Sequence, residues 1–151
     1  MNSLRHIAFI MDGNGRWGKK RGKSRNYGHL KGVEVIRKII EGSIKLHIPI
    51  VSFYVFSSEN WKRPKKEINF LFNLIESYFS KEIQNVIDQG IKICILGEKK
   101  NLPKKIKKTL RRVELFTKKN KKIIVNLAIN YGSKNEILNS LKKIKKNVNI
   151  K

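Results

Sequence analysis

Apolar runs and amphipathic stretches alternate along this chain. Ile7-Ala8-Phe9-Ile10-Met11 is an unbroken apolar run, too short for a helix and suited to a strand buried on both faces. Leu30, Val33, Ile36, Ile40 and Ile44 recur at three- and four-residue steps, which predicts an amphipathic helix closed before Pro49. Ile50 to Phe56, rich in β-branched and aromatic residues, reads as a second strand. From Glu67 to Gln89 the apolar positions cover more than one stripe, so the longest helix can pack one face on a sheet and offer another as the wall of an apolar channel; Gly90 closes it. Ile91 to Leu96 predicts a third strand. Pro103 to Lys119 predicts a helix with Ile106, Leu110, Val113 and Phe116 inward and lysines on a solvated face. Ile123 to Ile129 is a fourth strand, and Ser133 with Glu136 predicts a capping box opening a last helix through about Lys146.

This βαβαβαβα order, without repeat or linker, predicts an α/β fold in a single domain over residues 1–151: an open, mostly parallel sheet with helices on both faces. Parallel strands joined by right-handed crossovers send their C-terminal loops to one edge of the sheet, where ligands of such folds bind.

Two polar clusters fall at that edge. The first strand runs into Asp12-Gly13-Asn14-Gly15-Arg16-Trp17-Gly18 and a dense basic run through Arg25. Read as a loop, it lets glycines 13, 15 and 18 turn with positive φ and point backbone amides at an anion. Amides and cations beside one carboxylate suit a diphosphate whose charge is shared with a divalent metal on Asp12. A dinucleotide fingerprint fits poorly, because no acidic residue follows about twenty positions on. A Walker A loop fails because Lys20 stands where the metal-binding hydroxyl belongs, and a calcium loop fails on Arg16. The second cluster, Ser57-Ser58-Glu59-Asn60-Trp61-Lys62-Arg63-Pro64, follows the second strand.

The net charge of +24 raises a nucleic-acid reading. Lysines spread along the chain, with aromatics in apolar segments instead of between them, argue against stacking platforms and against a specific nucleic acid. The charge does allow a peripheral contact with an anionic membrane. The single cysteine, Cys94, sits in a strand and suits a reducing compartment. With no signal-peptide run and no long uncharged apolar stretch, a soluble, cytoplasmic protein is expected.

His6 to Trp17, Gly28-His29, Phe56 to Pro64 and Asn126-Leu127-Ala128-Ile129-Asn130-Tyr131-Gly132 together resemble the cis-prenyltransferases, which include bacterial undecaprenyl diphosphate synthase. The resemblance implies Z-type condensation of isopentenyl diphosphate with an allylic diphosphate, a polyprenyl diphosphate carrier as product, Mg2+ as cofactor and a homodimer. It implies that Asp12 binds the metal, that Gly13, Asn14, Gly15 and Arg16 cradle the allylic diphosphate, and that Trp17, Arg25 and His29 add contacts. Asn60 matches a proton acceptor, and Ser57, Ser58, Glu59, Trp61 and Arg63 match substrate contacts. The family continues past the fourth helix with an arginine and serine motif for isopentenyl diphosphate and a further acidic magnesium ligand. The resemblance thus covers only the first part of the family domain, and at Lys151 the C-terminal part is expected to be absent. An alternative reading is a catalytically impaired or non-catalytic partner subunit that retains the allylic site.

Overall fold

A computed structural model describes residues 3–147; Lys151, the expected point of truncation, lies outside them. Strands β1 (His6–Ile10), β2 (Ile50–Ser57), β3 (Ile91–Leu96) and β4 (Ile123–Tyr131) form one sheet in the order β1-β2-β4-β3. All three pairings are parallel, as the intervening helices require. The helices are α1 (Asn14–Lys20), α2 (Arg25–Lys45), α3 (Lys65–Asp88), α4 (Lys104–Thr117) and α5 (Ser133–Asn147), with a 3-10 turn over Ser58–Lys62.

The core lies on one face of the sheet. Val51, Phe53, Ile91, Ile93, Ile95, Val125, Leu127 and Ile129 are buried there against Ile40 of α2 and Ile68, Phe72, Phe79 and Val86 of α3. The alternation of β2 breaks between Tyr54 and Phe56, where the register to β4 shifts. This irregularity turns Phe56 to the core side, 5.1 Å from the Phe72 ring. Helix α4 closes the outer edge of β3: the Ile93 amide donates to Thr117 Oγ1 and the Ile95 amide to Glu114 Oε1, at 3.1 and 3.0 Å. Strand amides that no neighbouring strand can take are thereby satisfied.

Three expectations change. Among the described residues strand β1 is an edge strand paired with β2 alone, and Ile10 is 80% exposed, so the run that reads as doubly buried is open on one face and half-buried on the other. There Phe9 stacks on Phe53 with centroids 5.5 Å apart. Phe116, expected inward on α4, is 51% exposed, and Thr117 takes the buried position instead. Ser133 is already helical: the Glu136 amide donates to the Gly132 carbonyl, and the Glu136 carboxylate accepts from Tyr131 Oη at 2.7 Å, so no capping box forms there.

Candidate diphosphate site

The segment after β1 is not the open loop that its glycines suggest. Helix α1 begins at Asn14, and of its motif glycines only Gly13 has positive φ, at 87°. Gly15 and Gly18 are buried in α1, which packs closely on α2. A Cβ at Gly28 of α2 would overlap the Asn14 carbonyl, and one at Gly32 would lie 2.7 Å from Asn14 Nδ2. The glycines therefore serve helix-to-helix approach, and this fixes the first turn of α1 at the end of β1. Asp12 sits at that junction with an exposed carboxylate, Oδ1 accepting from the Gly13 amide at 2.6 Å and Oδ2 from Arg16 Nη2 at 2.8 Å.

Behind it, three donors converge on a residue that sequence reasoning passed over. Glu67 Oε2 accepts from Arg25 Nε at 2.9 Å, and Oε1 from Arg25 Nη2 at 3.0 Å and Arg63 Nη1 at 3.2 Å. Oε1 also lies 3.3 Å from His29 Nε2. The Glu67 side chain is only 10% exposed. The Arg25 hydrogen bond holds its carboxyl below the usual range despite burial, and Glu67 in turn raises Arg25. His29 is pushed down, first by burial, against the pull of Glu67. At neutral pH the imidazole is therefore uncharged, and Nε2 beside a carboxylate carries its proton as a hydrogen-bond donor. Glu67 ties together the segment after β1 and the segment after β2. Its sequence signal was ambiguous, since an acidic residue in the first turn of a long helix is already explained by the helix dipole.

These groups stand at the mouth of a cavity of about 150 Å³ that runs beneath α2 and α3 along the core face of the sheet. Asp12, Gly13, Asn14, Gly15, Arg16, Arg25, His29 and Arg63 line its polar end; Ile36, Ile40, Leu71, Ile75, Phe79, Val86 and Leu127 line its apolar interior. The long helix thus supplies the channel wall expected of it.

The other candidates lie outside this lining. Trp17 stacks on Tyr27 at 6.1 Å with the Arg21 guanidinium 4.1 Å over its ring. Asn60 Oδ1 accepts the Ser57 amide at 3.1 Å, Glu59 is exposed, and Ser58 lies against Gly132. Trp61 packs on Phe56 and Phe72 and donates its indole N–H to Asn130 Oδ1 at 2.7 Å, joining the second polar segment to the end of β4. Asn130, itself buried with φ of 53°, donates to the Glu98 carbonyl at 2.7 Å. In this chain Ser57, Asn60 and Trp61 have visible structural roles.

Among the described residues no group of three or more His, Cys, Asp or Glu could hold a metal alone. Asp12 nevertheless fits a magnesium ion shared with a phosphorylated ligand, because such sites use one or two carboxylates and complete the octahedron with phosphate oxygens and water. No described helix is long and apolar enough to cross a membrane.

Comparison with known proteins establishes the family. Residues 10–151 match the prenyltransferase family described as "Putative undecaprenyl diphosphate synthase". An isoprenyl transferase of Fusobacterium nucleatum is 41% identical over 143 residues, covering 95% of this chain and 62% of that protein. The structure of lavandulyl diphosphate synthase from Lavandula x intermedia, in complex with dimethylallyl diphosphate, superposes with a TM-score of 0.89 at 28% identity, over 94% of this chain and 61% of that one. A probable undecaprenyl diphosphate synthase from Campylobacter jejuni gives 0.79 at 32% identity, over 100% and 66%. The chain spans 51% to 62% of the length of the first curated relatives it matches. By sequence and by fold, this chain belongs to the undecaprenyl diphosphate synthase family of cis-prenyltransferases.

Proposed function

We propose that this chain binds an allylic diphosphate and provides the allylic half of a Z-type prenyl elongation site. The observation that carries the reading is the placement of Asp12, Arg16, Arg25, His29 and Arg63 at the mouth of an apolar cavity. Cationic and neutral donors at the rim hold the diphosphate, and the cavity takes the hydrocarbon away from water. Asp12 would hold magnesium together with diphosphate oxygens. The metal would supply Lewis acidity toward the departing diphosphate. Arg25 and Arg63, each held on one side by Glu67, keep other N–H groups for the ligand. Condensation with isopentenyl diphosphate, a polyprenyl carrier as product, the homodimer and a cytoplasmic location are extensions of this proposal from the family.

Calorimetric titration with dimethylallyl diphosphate tests it. We expect micromolar to millimolar binding that strengthens with magnesium and resists moderate salt. Binding of random oligonucleotides in its place, steeply weakened by salt, overturns the reading.

A specific observation favours a binding chain over one that elongates alone. Asn60, which the resemblance casts as proton acceptor, lies outside the cavity lining, and its Oδ1 is taken by the Ser57 amide. Radiolabelled isopentenyl diphosphate incorporation decides between them, with little or no polyprenyl product expected from this chain by itself.

A further inference from the structure

Helix α4 buries Ile106, Leu110, Val113 and Thr117, which fix one of its faces against the sheet. Lys104, Lys108, Arg111 and Leu115, spaced by four, three and four residues, therefore run along the opposite face. Because Thr117 takes the inward position, Phe116 is turned out beside Leu115, and the two are 51% and 56% exposed. The Arg112 guanidinium lies 5.9 Å over the Phe116 ring. The last turn of a basic helix thus presents two adjacent large apolar groups among cations. From Lys99 to Lys122 the chain carries 12 Lys and Arg and one acidic residue, Glu114, which is nearly half of the net charge of +24. Lys99 pairs with Glu114 and Lys105 with Glu76. Among the described residues Lys104, Lys108, Arg111 and Arg112 have no ion pair, so their charge is open to an anionic partner.

The direction of α4 decides where this patch sits. Glu114 accepts from the Ile95 amide and Thr117 from the Ile93 amide, and beyond the helix Asn120 Nδ2 donates to the Ile91 carbonyl at 2.9 Å. The helix therefore runs back along β3, and Leu115 and Phe116 lie toward the edge of the sheet where the strands begin. Asp12 lies at the edge where they end, so a partner on this patch leaves the diphosphate mouth open. We propose that the C-terminal end of α4 docks on an anionic lipid surface. Leu115 and Phe116 enter the headgroup layer, and Arg111, Arg112, Lys118 and Lys119 meet its phosphates while their aliphatic stems lie along the apolar tips. A nucleic acid would use the same cations, but it offers no apolar phase to Leu115, and Arg112 already covers one face of the helix's single aromatic ring. The docking surface does not depend on which ligand the cavity takes.

The test is co-sedimentation of the whole chain with vesicles of equal parts phosphatidylcholine and phosphatidylserine, with circular dichroism as the fold control for each variant. The wild type should bind these vesicles at least about tenfold more tightly than vesicles of phosphatidylcholine alone. Arg111→Gln with Arg112→Gln should weaken binding about twentyfold, at about fivefold for each cation near the surface. Lys134→Gln with Lys142→Gln removes the same charge from exposed positions on α5 and should change affinity by no more than about threefold. Leu115→Ser with Phe116→Ser leaves every charge in place and should cost about tenfold or more. Equal losses in the two charge variants would assign the binding to net charge and overturn the proposal, as would vesicle binding indifferent to the loss of Leu115 and Phe116. A wild type that leaves the mixed vesicles unbound also overturns it. In that case random-oligonucleotide binding weakened by Arg111→Gln with Arg112→Gln would make the face a nucleic-acid surface instead.

Discussion

Arg25, at the start of α2, and Glu67, in the first turn of α3, close a two-point ion pair across 42 residues of sequence, at 2.9 and 3.0 Å. This pair joins the segments that follow β1 and β2 and holds the Arg25 guanidinium at the cavity mouth. Replacing Glu67 by Gln keeps the shape and removes the charge that three donors share. Since the Arg25 side chain is 40% exposed, solvent screens part of the loss. We expect Glu67→Gln to cost about 1–2 kcal/mol by urea denaturation. Dimethylallyl diphosphate should also bind more weakly as Arg25 and Arg63 lose their common anchor. A variant of wild-type stability and affinity would remove Glu67 from the site's architecture.

Acid should loosen the same cluster. His29 lies below its ordinary value of 6.5 through burial, so the unfolded chain takes up a proton more readily than the folded one. Stability is therefore full above that value and falls as pH drops through it. Glu67, held below 4.5 chiefly by Arg25, adds a second loss below that value. Urea midpoints measured from pH 8 to pH 4 should decline across the upper window, and His29→Gln should flatten that part of the curve while leaving the lower part in place.

Two glycines of α2 should respond in opposite directions to the same substitution. A Cβ at Gly28 would run into the Asn14 carbonyl, whereas one at Gly42 would meet nothing within 4 Å. Gly28→Ala must push α1 off α2 and should cost about 1–3 kcal/mol. Gly42→Ala should stabilise by about 0.5–1 kcal/mol through helix propensity. Thermal unfolding of both variants checks the assignment of the motif glycines to packing.

What the sequence disclosed, and what it hid, follow from range. The strands and the long helices were legible because their periodicity is local: Phe53 and Phe72 lie in segments whose apolar spacing states their own geometry. Helix α1 was not, because a short glycine-rich segment owes its helical form to α2 and not to propensity. The β1 run read as doubly buried because a strand's own residues do not say which of its faces another layer covers. In the site, Asp12, Arg25 and His29 stood out by motif. The pairing of Glu67 with Arg25, and of Trp61 with Asn130 at 69 residues' separation, exists only in the fold. The motif that marks Trp61 as a ligand contact gives no sign of the tie its indole makes to Asn130.

Asp12 offers the sharpest separation of function from fold. Its side chain is 65% exposed, and its two contacts, the Gly13 amide and Arg16, lie within four residues of it. Surface groups of this kind contribute little to stability, so Asp12→Ala should change the urea midpoint by no more than about 0.5 kcal/mol equivalent. The same carboxylate lines the polar end of the cavity beside Arg16, Arg25 and His29, where an incoming ion can reach it. Magnesium should therefore strengthen dimethylallyl diphosphate binding in the wild type and fail to do so in Asp12→Ala, while metal-free binding through Arg25, His29 and Arg63 persists in both. Parallel titrations with magnesium and with EDTA read this directly. A variant that keeps its full magnesium response would move the metal away from Asp12.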